Sequence, residues 1–219
     1  MLRVNDALTG SAEKRILLWF CRYMPAWVTS DMLTMLGLTG AAMSFLAYWQ
    51  SGRGAITLWL AILGLALNWF GDSLDGTWAR HLNAERPRYG FFLDHMTDTF
   101  AMGLVAIGIG MSPYAHFASG LAVLAGYYLM VILSMVGCIV TGTVRISFNG
   151  VGPTEIRLLI IACTIAAILL PTPVFNYGEV RMTIYDIVMV VVTTILVVMC
   201  VVQTVKIARQ LAVMDPPRR

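Results

Sequence analysis

The chain has 219 residues, of which 58% are hydrophobic and only 12% charged, with a formal net charge of +3 and a mean hydropathy of +0.76. Soluble domains run at roughly 45–50% apolar and about 25% charged, so this composition excludes an ordinary soluble domain and points to a polytopic membrane protein. The small positive charge, gathered on one face, suits anionic lipid headgroups and argues against a nucleic-acid partner.

The chain opens on a polar stretch, MLRVNDALTGSAEKR, which does not read as a cleavable signal peptide. Residues 12–24 follow, too short to cross a bilayer and ended by Pro25. Lys14, Arg15 and Arg22 alternate there with Trp19, Phe20 and Tyr23. That pattern predicts an amphipathic helix lying in the membrane interface, either as a plain anchor or as one wall of a lipid access path. Six apolar runs come next, near 32–49, 55–78, 90–111, 117–140, 156–174 and 183–206. Ser30 or Asp31 is placed to cap the first of them. The expected fold is therefore all-α and integral to the membrane, with six transmembrane helices after an interfacial helix. The expected division is an arm at 1–30, a six-helix domain at 31–208 and a tail at 209–219.

An even number of spans puts both termini on one side. Thirteen of the fifteen Lys and Arg residues fall on that face, leaving only Arg53 and Arg181 opposite. The positive-inside rule makes the rich face cytoplasmic. Cys21, Cys138, Cys163 and Cys200 are scattered without metal spacing or a disulfide framework, and read as small buried hydrophobes.

Four aspartates stand out against this background. Asp72 and Asp75 lie near the end of the second run, with Gly76, Ala79 and Arg80; Asp94 and Asp98 lie in the third, with Gly90 one turn earlier. At roughly 100° per residue, Asp72, Asp75 and Ala79 fall within about 60° of one another on a helix. Asp94 and Asp98, at i and i+4, also share a face. Carboxylates in a membrane segment are costly unless paired or metal-bound, so two neighbouring helices presenting two each call for a shared cation. All-oxygen donors favour Mg²⁺, Mn²⁺ or Ca²⁺ over zinc. The bare positions Gly76 and Ala79 let a bulky group approach the helix, and Arg80 can meet a phosphate. The other readings are pairing of the acids with Arg80, Arg86 and Arg88, or the ion pathway of a divalent-cation transporter. Asn68, one turn before Asp72, shares its face and can support a ligand or bond a neighbouring helix. His95 is expected to point away from Asp94, and His81 and His116 to be ordinary loop or interface residues.

The arrangement D-x-x-D-G-x-x-A-R, a short gap, then G-x-x-x-D-x-x-x-D resembles the signature of the CDP-alcohol phosphotransferases, with Asp72, Asp75, Gly76, Ala79, Arg80, Gly90, Asp94 and Asp98 at its eight fixed positions. The resemblance implies transfer of a substituted phosphate from a CDP-linked donor to an alcohol, with release of CMP. It implies a Mg²⁺ or Mn²⁺ cofactor and a homodimer. Asp72, Asp75 and Asp94 are then expected to bind metal, and Asp98 to bind metal or to take the acceptor's proton. Asp72, Gly76, Ala79 and Arg80 are expected to hold the CDP moiety.

A second polar island runs from Thr141 to Arg157 between the fourth and fifth runs. Arg145 and Arg157 can bind an anionic group there. Glu155 can bind a cationic headgroup or cap the fifth helix. This segment, and the run from Pro25 to Leu38, are similar to parts of eukaryotic choline and ethanolamine phosphotransferases. That likeness implies a CDP-amino-alcohol donor with diacylglycerol. Prokaryotic relatives imply instead CDP-diacylglycerol with a small polar alcohol such as serine, inositol or glycerol 3-phosphate. Arg145, Arg157 and Glu155 leave both open.

Overall fold

A computed structural model describes residues 2–4, 10–145, 152–177 and 180–215. Helices make up most of the described residues. Helix α1 (Gly10–Tyr23) buries Leu17 and Cys21 against Leu33, Leu74 and Trp78. Its Lys14, Arg15, Trp19, Arg22 and Tyr23 stay exposed. One apolar stripe faces the protein, and a mixed basic and aromatic face is left for an interface, as the alternation of residue types predicts.

Helices α2 (Ser30–Trp49) and α3 (Ala55–His81) form the tightest pair. A 3₁₀ turn at Ser51–Arg53 joins them, closed by Gly54 at φ 142°, a conformation that side chains rarely tolerate. A Cβ on Gly40 would sit 2.6 Å from the Gly64 carbonyl oxygen, and a Cβ on Gly64 would sit 2.6 Å from that of Gly40. The missing side chains therefore bring two backbones into contact, the usual route to close helix association in lipid. Polar ties fix the register: Ser44 Oγ donates to the Ala61 carbonyl at 3.0 Å, and Asn68 Nδ2 to the Gly37 carbonyl at 3.0 Å. Of the two roles open to Asn68, the structure places it in the helix–helix bond. The cap of α2 is Thr29, whose hydroxyl accepts from Met32 N–H, in place of Ser30 or Asp31.

Helix α4 (Pro87–Gly110) starts with a proline at its first position, where no N–H partner is needed. It packs on α2 and on α5 (Phe117–Thr141). Gly142, at φ 71°, caps α5. A short β1 (Leu2–Val4) pairs in parallel with β2 (Thr143–Arg145). Helix α6 (Pro153–Leu169) follows, then an antiparallel pair, β3 (Val174–Tyr177) with β4 (Val180–Thr183). The last helix, α7 (Ile184–Met214), packs against α5 and leaves most of its apolar surface exposed. Its N-terminus is pinned by the buried Asp186, which accepts from Thr183 N–H at 2.9 Å, His116 N–H at 2.7 Å and the His116 ring at 2.8 Å. His116 is thus a structural interface residue. The four cysteines are free, two buried and two half-buried.

Each of the six expected spans is a helix, but only four are long and apolar enough to cross a membrane by themselves: Ser30–Trp49, Ala55–His81, Phe117–Thr141 and Ile184–Met214. Helix α4 carries Arg88, Asp94 and Asp98 in its first half. Helix α6 has 17 residues, about 26 Å at 1.5 Å per residue, and ends at Leu169, short of the expected residue 174. Pro171 and Pro173 lie just beyond and cannot continue it. The four short strands are the other departure from the expected elements.

Candidate active site

Helices α3 and α4 bring the signature residues to one end of the bundle. A cleft of about 1190 Å³ opens there, lined by Asp75, Gly76, Ala79, Arg80, Gly90 and Asp94. Nothing lies within 4 Å of where a Gly90 Cβ would stand, and a Gly76 Cβ would meet only the Arg80 side chain, at 3.5 Å. The bare positions therefore floor an open cleft instead of packing against a neighbour. Arg80 donates to Thr77 Oγ1 at 3.2 Å, which steadies its guanidinium at the cleft wall. His95 also lines the cleft, contrary to its expected orientation. Its Nδ1 lies 2.9 Å from the Phe91 carbonyl and 3.4 Å from Asp94 Oδ2. One helical turn back to the carbonyl fixes the ring near its neighbour.

Asp75 is buried, with 7% of its surface exposed. Its Oδ2 accepts from Thr34 Oγ1 at 2.6 Å and its Oδ1 from Gly76 N–H. Ser30 Oγ bonds the Asp75 carbonyl at 3.0 Å. The start of α2 thus aims Asp75, and Thr34 is a site residue to which the sequence reading assigned no role. A hydroxyl one turn after Ser30 in an apolar helix was its only signal.

Asp72 and Asp98 lie deeper. Between them stands Arg157 of α6, whose Nη1 donates to Asp72 Oδ2 at 2.9 Å and Nη2 to Asp98 Oδ1 at 3.0 Å. Only 3% of the Arg157 side chain is exposed, and its Nε is buried without a partner among the described residues. Asp72 and Asp98 therefore pair with Arg157, a residue far along the chain from Arg80, Arg86 and Arg88. Arg86 instead pairs with Asp31 and lies over the Tyr89 ring, 4.0 Å from its centroid. Arg157, which had been counted with the surface charge, is an internal counter-ion.

The four carboxylates form one electrostatic group, since Asp75 senses the charges of Asp72 and Asp94, and Asp98 does too. Among the described residues no three acids, histidines or cysteines close into a metal cage. The donor chemistry still fits a hard divalent ion, because the group offers carboxylate oxygens only, with one guanidinium held between Asp72 and Asp98. Of the acceptor candidates, Glu155 Oε2 accepts from Gly152 N–H at 2.9 Å, so the carboxylate caps α6. Arg145 ends β2, and its side chain lies outside the described residues, as do residues 146–151.

Behind this polar layer lies a second cavity, of about 150 Å³, enclosed chiefly by α4–α7 and almost wholly apolar. It runs from Tyr127 and Ile156 beside Arg157 to Ser112, Tyr114 and Tyr185 at the other end of the bundle. Tyr127 is near enough to interact with Asp98 and Arg157. The site thus adjoins an aqueous cleft on one side and a lipid-like interior on the other.

Helices of membrane-crossing length and apolarity, around a cleft lined by Asp75, Asp94 and Arg80, make this an integral membrane protein with a charged cleft. The chain belongs to the CDP-alcohol phosphatidyltransferase family, whose model matches residues 27–206. No curated protein matches the chain. Family membership makes it a transferase of phospholipid synthesis that uses a CDP-alcohol, and sets aside the cation-transporter reading.

Proposed function

We propose that the protein transfers a substituted phosphate from a CDP-linked donor to an alcohol with release of CMP, at the end of the bundle where α3 and α4 carry the aspartates. The observation that carries this reading is the cleft that brings Asp75, Gly76, Ala79, Arg80 and Asp94 together on one wall system. The open floor at Gly76 and Gly90 admits the pyrophosphate, and Arg80 meets one of its phosphates. Asp72, Asp75, Asp94 and Asp98 hold Mg²⁺ or Mn²⁺. When bound, the ion neutralises phosphate oxygens and eases departure of CMP. Asp98 accepts the proton of the acceptor hydroxyl, since an alcohol is a poor nucleophile until it is deprotonated. Its place within electrostatic reach of Tyr127, which lines the apolar cavity, supports that role.

One reactant is a lipid, and the cavity behind Asp98 supports this. On α7 it extends from Tyr185 to Leu196, about 16 Å of helix, room for part of one acyl chain. The segment carrying Arg145, Glu155 and Arg157 selects the headgroup or acceptor, and the pair is either diacylglycerol with a CDP-amino-alcohol donor or a small polar alcohol with CDP-diacylglycerol. Residues 31–208 form the catalytic unit, with six helices in the membrane and both termini and the site on the cytoplasmic side, in a homodimer. Exposed Lys14, Arg15 and Arg22 at the end of the bundle that carries the site support that orientation.

The test is CMP release by purified protein in lipid nanodiscs, across a panel of CDP donors and alcohols with Mg²⁺, Mn²⁺ or chelator. Metal-dependent CMP release with one donor–acceptor pair is the expected result. Absence of CMP with every pair, by protein that is folded, overturns the reading.

A further inference from the structure

Glu13 has a set of partners that an anchoring helix does not need. Its Oε1 accepts from Ser73 Oγ at 2.6 Å, Trp69 Nε1 at 3.0 Å and Thr154 Oγ1 at 3.2 Å, and its Oε2 lies 3.3 Å from the same threonine hydroxyl. One carboxylate of α1 therefore ties α3 and α6 together. Trp69 and Ser73 are i and i+4 on α3 and bracket Asp72. Thr154 is one turn before Arg157, so the two project from the same side of α6. Glu13 and Arg157 are thus polar ties at the same end of α6. Glu13 joins it to α1 and α3, and Arg157 joins it to α3 and α4. Docking of α1 is already supplied by Leu17 and Cys21 in their apolar cluster, and that docking needs no bond to Thr154.

We infer that Glu13 is a positioning residue: it fixes the start of α6 against α3 and so sets where the Arg157 guanidinium stands between Asp72 and Asp98. This rests on the transferase reading above. A carboxylate near a membrane surface must be compensated, and three neutral donors do so here through charge-assisted bonds. The geometry makes the interfacial helix part of the site's frame. A shift of about 1 Å in α6 would misplace the guanidinium, and displacements of that size reduce turnover by up to about a hundredfold.

The experiment compares wild type with E13A, E13Q, T154V and S73A in nanodiscs, using two readouts. The first is electron–electron distance between spin labels at exposed positions 14 and 158, which reports α1–α6 placement whether or not turnover is measured. The second is steady-state CMP release. Expected are a broadened or displaced distance distribution in E13A and T154V, and a kcat lower by about tenfold or more at a KM for the CDP donor within about twofold of wild type. S73A retains the Thr154 bond and stays close to wild type in both. E13Q, whose amide oxygen still accepts, rescues both. An unchanged distance distribution in E13A and T154V overturns the inference, even if activity falls. A shifted distribution with unchanged kcat also overturns it. If wild type itself releases no CMP, the transferase reading fails, while the distance measurement still decides whether Glu13 places α6.

Discussion

The two halves of the aspartate cluster are built differently. Asp75 and Asp94 line the open cleft, one aimed by the Thr34 hydroxyl and the other beside His95. Asp72 and Asp98 stand further in, bridged by Arg157. In the outer half, Asp75 is set by a neutral donor, the Thr34 hydroxyl. The inner half is set by a cation that already neutralises part of its charge. In the proposed chemistry, the outer pair meets an incoming ion and phosphate first, and any ion engaging the inner pair competes with a guanidinium.

The sharpest way to break this contrast is at the outer half. Asp94→Asn keeps the size of the side chain and removes its charge at the cleft wall. The expected outcome is loss of CMP release by a factor of about a hundred to a thousand, of the order found when a charge-stabilising group is removed, with a melting temperature close to wild type in the same detergent. A fully active Asp94→Asn protein would remove Asp94 from the site.

At the inner half the expected effect is on folding first. Arg157→Ala leaves Asp72 and Asp98 facing each other without their shared partner, and breaking a buried pair in this way costs about 3–5 kcal/mol. Chemical unfolding in detergent micelles measures it. Added Mg²⁺ should restore more stability to Arg157→Ala than to wild type, because the ion no longer competes with a guanidinium and binding to the folded state alone stabilises by mass action. Equal stabilisation of the two proteins by Mg²⁺ would show that Arg157 and the ion do not share the inner pair.

The sequence displayed the aspartates of both halves more completely than the residues that hold them, for a physical reason. Asp72, Asp75, Asp94 and Asp98 are placed by helical periodicity within two local segments, and a period of 3.6 residues is readable from spacing alone. Arg157 meets α3 across 85 residues of chain and Thr154 meets α1 across 141, tertiary contacts that no local period encodes. Glu13 has the same character, since its partners lie 56, 60 and 141 residues away. The helices themselves were legible from their apolar runs. The early end of α6 was legible only in hindsight from Pro171 and Pro173, because the run of apolar residues continues to Leu170 and resumes with Val174. The β1–β2 pair joins Leu2–Val4 to Thr143–Arg145, two short segments whose pairing partners are distant in sequence.

Smaller effects refine how each half is held. Thr34→Val removes the hydroxyl that bonds Asp75 and leaves a buried carboxylate oxygen without that donor. A loss of about 1–3 kcal/mol is expected, with reduced turnover at saturating donor, since Asp75 then loses its fixed rotamer. Arg86→Ala probes an exposed pair at the cleft rim, where Asp31 and the guanidinium both meet solvent. Surface pairs of this kind contribute little to folding, so the melting temperature should stay within experimental error. If Arg86 serves only Asp31, turnover is unchanged as well. A rise in KM for the CDP donor that diminishes with added salt would instead place Arg86 among the residues that attract the substrate's phosphates, extending the outer half of the site to the rim of the cleft.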